Sequence, residues 1–353
     1  MYKKVFIVIV LLLLITSFNN FVISSEMEKI NLEKTVELMK RNDINFKLAK
    51  IKVDNLILEI KEDKINNLLV NSETEKKNIE LKFEKAKNNY LSEKNQRLIF
   101  ITEKYFGLLE LEKEKNIKEK EIIYERKLLE SIKAEEEKGY KNKIDVFMQE
   151  NQLNNIIINS ENISSDYKQE LEEFKYILGI NEKNIKLENK ITYEIDKTLN
   201  GINYKKIVND KEEIKLITKE IEILTDEIKK AEIKEIAQIK ITKLKNNLEI
   251  KKLEKVKLTR ELTNNLRKQH YLYKKAVNNL KMRYNSLKAV KENHFLLKQQ
   301  YKKGMIKKID LLSSELNLLK EQANHVISIY NYHLNLLKLK NLLGENLGAG
   351  FNV

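Results

Sequence analysis

The sequence predicts a mainly α fold of long antiparallel coiled-coil helices arranged in two duplicated halves, and three observations carry that reading. Proline is absent and only 8 of 353 residues are glycine, so the residues that punctuate loops and sheets are nearly missing. A stretch beginning at Lys138, KGYKNKIDVFMQENQL, returns without gaps at Lys303 as KGMIKKIDLLSSELNL, at an offset of 165. Such self-similarity marks an internal duplication. Apolar residues also recur at alternating steps of three and four, as in Ile309, Leu312, Leu316, Leu319, Ala323, Val326 and Tyr330, the spacing of a coiled-coil seam. With 34% charged and 7% aromatic residues, the composition is lean for a compact globule and suits an elongated helical protein.

The chain starts with Lys3 and Lys4, an apolar run from Val5 to Ile15, and a polar zone ending at Ser24 and Ser25. A basic region followed by a short apolar stretch and small residues reads as a secretory signal peptide over 1–25. The first structural repeat is expected over 26–190 and the second over 204–346, joined by a linker at 191–203 that contains Gly201. Helical spacing runs from about 31 to 64, with Asn42-Asp43 as a break or cap. Segments near 66–84 and 237–258 alternate apolar and polar residues at Ile79, Leu81 and Phe83 and again around Asn246-Asn247. Each reads equally as a short β-hairpin or as continuous charged helix. Four long helices follow these zones, at about 86–136, 143–178, 262–302 and 307–343. A helix ends and another starts within a few residues at Gly139 and at Gly304, which makes both glycines reversal points. The final helix carries a second apolar stripe through Leu318, Ile329, Tyr332, Leu336 and Leu339, which suits a helix packed between two neighbours. Residues 347–353 read as a flexible tail.

Chemistry-bearing patterns are sparse. There is no cysteine for a disulfide, a lipid anchor or thiol chemistry. His270, His294, His325 and His333 have no metal-ligand spacing, and no phosphate loop or nucleophile elbow occurs. No catalytic, cofactor-binding or metal role is therefore assigned. The formal net charge of +14 is read as solvated helix faces, and export argues against a nucleic-acid partner. Asp145 and Asp310, just after the reversal glycines, are positioned to cap the helices that follow.

These features together resemble the TolC-like outer-membrane factor family, the exit ducts of tripartite efflux pumps and type I secretion systems. The resemblance rests on the signal peptide, the duplication, Ile30-Asn31-Leu32-Glu33 followed by Asn42-Asp43, the run from Tyr301 through Gly304 to Ile309-Asp310-Leu311-Leu312, and Leu342-Leu343-Gly344. It implies a homotrimer with a periplasmic helical tunnel and four strands per protomer in a shared transmembrane β-barrel. It also implies location in the outer membrane with a periplasmic extension, and work with a periplasmic adaptor protein and an inner-membrane transporter. By the same resemblance Gly139 and Gly304 are tip turns. Asp310 lies at the tunnel entrance, with Tyr301 and Asp145 as partners in closing it. The chain departs from the archetypal member of that family at Ile306, where that member carries a basic residue, and at Ser313, where it carries a second acidic one. Read from residues alone, the alternative is a secreted or periplasmic coiled-coil structural protein or adhesin without channel activity.

Overall fold

A computed structural model describes residues 27–347. The expected signal peptide and residues 348–353 of the tail lie outside the described residues. In order, the elements are β1 (Glu28–Ile30), α1 (Leu32–Asn42), α2 (Ile44–Val70), α3 (Glu73–Glu137), α4 (Lys143–Leu178), β2 (Ile185–Leu187), a 3-10 turn (Lys197–Asn200), α5 (Tyr204–Asn209), α6 (Glu212–Ile233), α7 (Gln238–Lys302) and α8 (Lys308–Leu342). The duplication holds residue by residue: α3 and α7 each span 65 residues, and Glu73 and Glu137 map onto Gln238 and Lys302 at the offset of 165. At ~1.5 Å per residue each of these helices is roughly 100 Å long.

The two long helices run the full length of the molecule, and the shorter ones lie end to end beside them. Toward the Gly139 and Gly304 turns the neighbours are α4, α3, α8 and α7; toward the other end they are α2, α3, α6 and α7. The helix α8 therefore packs between two others, as its two stripes require. Tyr330 stacks on Phe106 of α3 with ring centroids 4.8 Å apart, while Tyr332 meets Tyr273 of α7 at 5.9 Å. The layer does not close on itself, because α4 and α7 at its edges share no substantial contact among the described residues.

Most of the core forms a belt near mid-length, in two clusters related by the duplication. One gathers Ile101, Tyr105 and Leu108 of α3 with Phe174 of α4, and the other gathers Leu266 and Tyr273 of α7 with Leu339 of α8. Ile101 and Leu266, Leu108 and Tyr273, and Phe174 and Leu339 are equivalent pairs at the offset of 165. The crossing segments of the chain are strapped over this belt. β1 and β2 pair in parallel there, and the Tyr105 hydroxyl donates to the Ile30 carbonyl at 3.2 Å and to the Glu188 carbonyl at 2.5 Å. At the equivalent place in the second half, His270 Nε2 donates to the Leu199 carbonyl at 2.8 Å, which leaves Nδ1 to accept from the Tyr204 hydroxyl at 2.6 Å.

Neither zone near 66–84 nor that near 237–258 forms a hairpin. The first is the end of α2, a tight turn at Asn71-Ser72 and the start of α3; the second lies within α7. The alternation arises because this part of α3 has neighbours on opposite faces. Leu81 packs on Leu216 and Ile223 of α6, whereas Lys64 of α2 sits 5.9 Å from the Phe83 ring. Residues two apart on a helix point about 200° apart, so a helix buried on two sides imitates a strand. Among the described residues the strands are β1 and β2, three residues each, where a membrane-spanning strand needs about 9 to 11. The four barrel strands implied by the family resemblance are thus replaced over these zones by helix. The tail also differs from expectation at its start. Leu347 is buried, and its N–H donates to Asn95 Oδ1, while Asn95 Nδ2 donates to the Glu345 carbonyl at 3.0 Å.

Candidate functional site

Both helix reversals are built the same way. Gly139 and Gly304 adopt φ of +77° and +72°, a left-handed conformation that L side chains rarely take. In each, the N–H after the glycine reaches back to a carbonyl five residues earlier: Tyr140 to Glu135 at 2.8 Å and Met305 to Gln300 at 2.9 Å. These bonds satisfy carbonyls that the helix end would otherwise leave bare.

Beyond each glycine the expected aspartate sits in the first turn of the next helix rather than at its cap. Asn142 caps α4 by accepting from the Asp145 N–H at 2.9 Å, and the Asp145 carboxylate accepts from the Asn142 N–H at 3.0 Å. That reciprocal pair is a capping box. In α8 only half of it survives. Asp310 accepts from the Lys307 N–H at 3.0 Å, but an ammonium has no lone pair to return the bond. Tyr301 is half-buried, with Lys308 Nζ 5.3 Å from its ring centroid, a cation-π contact. Within the protomer no hydrogen bond joins Tyr301 to Asp145 or Asp310 among the described residues.

Asp310 does reach a cleft of about 740 Å³ that opens between α3, α4, α7 and α8. Ser313 lines the same cleft, so the departure from a second acidic residue falls on its wall. The same cleft is lined by a residue that sequence reasoning missed. Glu121 is buried and is held by Lys118 Nζ at 2.7 Å and by Lys320 Nζ of α8 at 2.5 Å. Burial alone would push its pKa up, but the two ammonium groups outweigh that and hold the carboxyl below its usual range. In a chain this rich in Lys and Glu, a Lys118-Glu121 spacing occurs too often to single out; only the third partner, Lys320, 199 positions away, makes it distinctive. Asp310 has no lysine or arginine partner among the described residues, and Glu125, which lines the same cleft, accepts from the Gln149 amide, so the cleft presents two carboxylates without a cationic partner beside the neutralised Glu121.

The histidines are dispersed. His270 pins the crossing segment, His294 Nδ1 lies 2.9 Å from Ser314 Oγ, and His333 Nε2 lies 2.9 Å from the Thr192 carbonyl. No cluster of metal-ligating residues occurs among the described residues.

This architecture is shared with solved outer-membrane channels. The CmeC channel of Campylobacter jejuni superposes with a TM-score of 0.66 at 12% identity, over 89% of this chain and 85% of that one. VceC of Vibrio cholerae gives 0.62 at 10% identity over 89% and 96%, and the channel OprN gives 0.64 at 10% identity over 89% of both chains. No family model and no curated protein matches the chain. The fold is therefore TolC-like in structure and far diverged in sequence.

Proposed function

We infer that the chain is the protomer of a TolC-like export duct: a homotrimer whose helical layers close into a periplasmic tunnel at the outer membrane. Such a duct works passively, with an adaptor protein and an inner-membrane transporter supplying the gating and the energy. The observation that carries this reading is the open layer. A sheet of helices roughly 100 Å long and one helix thick leaves α4 and α7 as unpaired edges, and a ring of identical copies satisfies both. Gly139 and Gly304 then become the tips, with Asp310, Asp145 and Tyr301 around the entrance. Three copies of the unpaired Asp310 carboxylate would concentrate negative potential in a narrow opening and favour cations.

Two measurements test this. Light scattering on the purified protein is expected to give three times the protomer mass, and a stable monomer without membrane association overturns the reading. In planar bilayers Asp310→Asn is expected to lower cation selectivity and block by trivalent cations, and an unchanged profile removes Asp310 from the entrance.

The second reading is a periplasmic coiled-coil protein without a pore, and the helical state of residues 66–84 and 237–258 favours it. It predicts a protein fully soluble without detergent. Single-channel currents overturn it.

A further inference from the structure

The end of the molecule opposite the tips carries an apolar and basic surface that the duct reading leaves unused. The α2–α3 and α6–α7 turns lie there side by side, since Lys230 Nζ donates to Thr74 Oγ1 and Lys77 pairs with Asp226 at 2.7 Å. Within about two helical turns of that end, Leu68 is 80% exposed, Leu69 88%, Ile233 82% and Ile239 73%. Four large aliphatic side chains held in water at the extremity of a helical hairpin pair are costly unless something covers them. Glu73 and Glu75 flank the turn after Leu68 and Leu69, but beside Ile233 and Ile239 the charges are predominantly basic. Residues 229–245 contain six lysines, at 229, 230, 234, 240, 243 and 245, against Glu232 and Glu235. Glu232 holds Lys245 at 2.8 Å, while Lys234, Lys240 and Lys243 are exposed and have no carboxylate partner among the described residues.

We propose that this end is a docking surface for an anionic phospholipid bilayer, into which the Leu68, Leu69, Ile233 and Ile239 side chains insert while the lysines pair with headgroup phosphates. Apolar side chains rimmed by lysine are the chemistry of interfacial binding, in which buried area and attraction to anionic lipid add. A second copy stacked end to end is disfavoured because it would press two excesses of lysine together. Copies arranged side by side cover edges and leave this end free. The depth is shallow, because no helix here is long and apolar enough to cross a membrane. The choice of the outer membrane as the surface rests on the duct reading; the attraction to anionic lipid does not.

The test is flotation of the full chain with vesicles of phosphatidylethanolamine and phosphatidylglycerol, and with neutral phosphatidylcholine vesicles as the contrast. Wild type is expected to float with the anionic vesicles at least about tenfold better. The combined variant Leu68→Ser, Leu69→Ser, Ile233→Ser, Ile239→Ser is expected to lose binding to both. The variant Lys234→Gln, Lys240→Gln, Lys243→Gln is expected to lose the anionic preference by roughly ten- to a hundredfold. All seven residues are exposed, so circular dichroism should remain that of wild type. All forms share one N-terminus, so any binding through it cancels in the comparison. Equal flotation of wild type and both variants overturns the proposal. So does a doubling of the oligomer mass that the serine variant abolishes, which makes a second copy the occupant. Light scattering on the same samples separates the two readings: a trimer that fails to float defeats the lipid surface alone, and a monomer that floats defeats the duct alone.

Discussion

The two halves of the molecule have the same helices but start them differently. In the first half, α2, α3 and α4 are each capped by a side chain: Asp43 accepts from the Phe46 N–H, Ser72 from Glu75 and Asn142 from Asp145. The corresponding residues of the second half are Lys211, Ala237 and Lys307, and none of them makes a side-chain cap bond. Yet α3 and α7 begin and end at equivalent positions, and α4 and α8 begin at equivalent positions. Caps therefore do not set where these helices begin. The packing of the long apolar seams sets it, and the caps only adjust how firmly each first turn is held.

The largest expected asymmetry follows from Asp43. It is buried, it caps α2 and its carboxylate pairs with Arg97 of α3, whereas Lys211 has no such duty. Asp43→Ala should cost about 2 to 4 kcal/mol in chemical denaturation because it removes the cap and leaves the partly buried Arg97 guanidinium without its carboxylate. Lys211→Ala should cost almost nothing, and equal losses at the two sites would end the comparison.

The two pins over the core belt come next. Tyr105→Phe removes the donor for the Ile30 and Glu188 carbonyls and should cost about 1 to 3 kcal/mol. The pins also differ in acid. Burial pushes the Tyr105 hydroxyl pKa up, so it stays neutral in the fold, and its contribution is lost only as pH rises past the ordinary tyrosine value of about 10. Burial, with Lys274 nearby, holds His270 below the ordinary histidine value. Its contribution is complete above about pH 6.5 and is lost as pH falls through the lower folded value. Hydrogen-exchange protection, taken relative to the intrinsic rate at each pH, should therefore fall between pH 7 and 5 at 199–209 and not at 28–30; loosening of both segments together would show that the pins are not independent.

A smaller contrast separates the glycines that end α4 and α8. Gly179 has φ of +65° and a Cβ there would stand 3.1 Å from Asn42 Cβ, whereas Gly344, at φ of +88°, faces open space. Both alanine variants should pay about 1 to 2 kcal/mol for the left-handed backbone, with Gly179→Ala the more damaging of the two in thermal melts. The smallest effects concern the caps. Ala237→Ser and Lys307→Asn should each stabilise by about 0.5 to 2 kcal/mol, and Asn142→Ala should destabilise by the same amount. Protection of first-turn amides reports it directly, and unchanged exchange in all three would remove the caps from the account.

Much of the fold was legible in the sequence because helices this long repeat their signals. The offset of 165, the reversals at Gly139 and Gly304 and the break at Asn42-Asp43 all appear in the structure where the residues indicated. The two stripes of α8 also read correctly, since Tyr330 and Tyr332 face different neighbours. What misled was Ile79, Leu81 and Phe83. A local pattern cannot report that α2 and α6 lie on opposite sides of α3, because that is a fact of tertiary arrangement. The chemistry of the turns was legible in part. Asp145 and Asp310 were visible as capping carboxylates, although Asn142 and Lys307, three residues earlier, hold the cap positions; the Glu121 triad lining the cleft depends on Lys320, which only folding brings near.

The matched 65-residue helices have one more consequence. Glu121 pairs with Lys320 and Glu103 with Lys338, so the two hairpins run level with each other, and Lys77 with Asp226 keeps the far turns level too. One residue inserted in α3 alone would offset its tip by ~1.5 Å and swing the seam by about 100°. Length is thus a tolerance that both hairpins share: it can change only in tandem and in steps of about seven residues, which bring the seam back to face its partner.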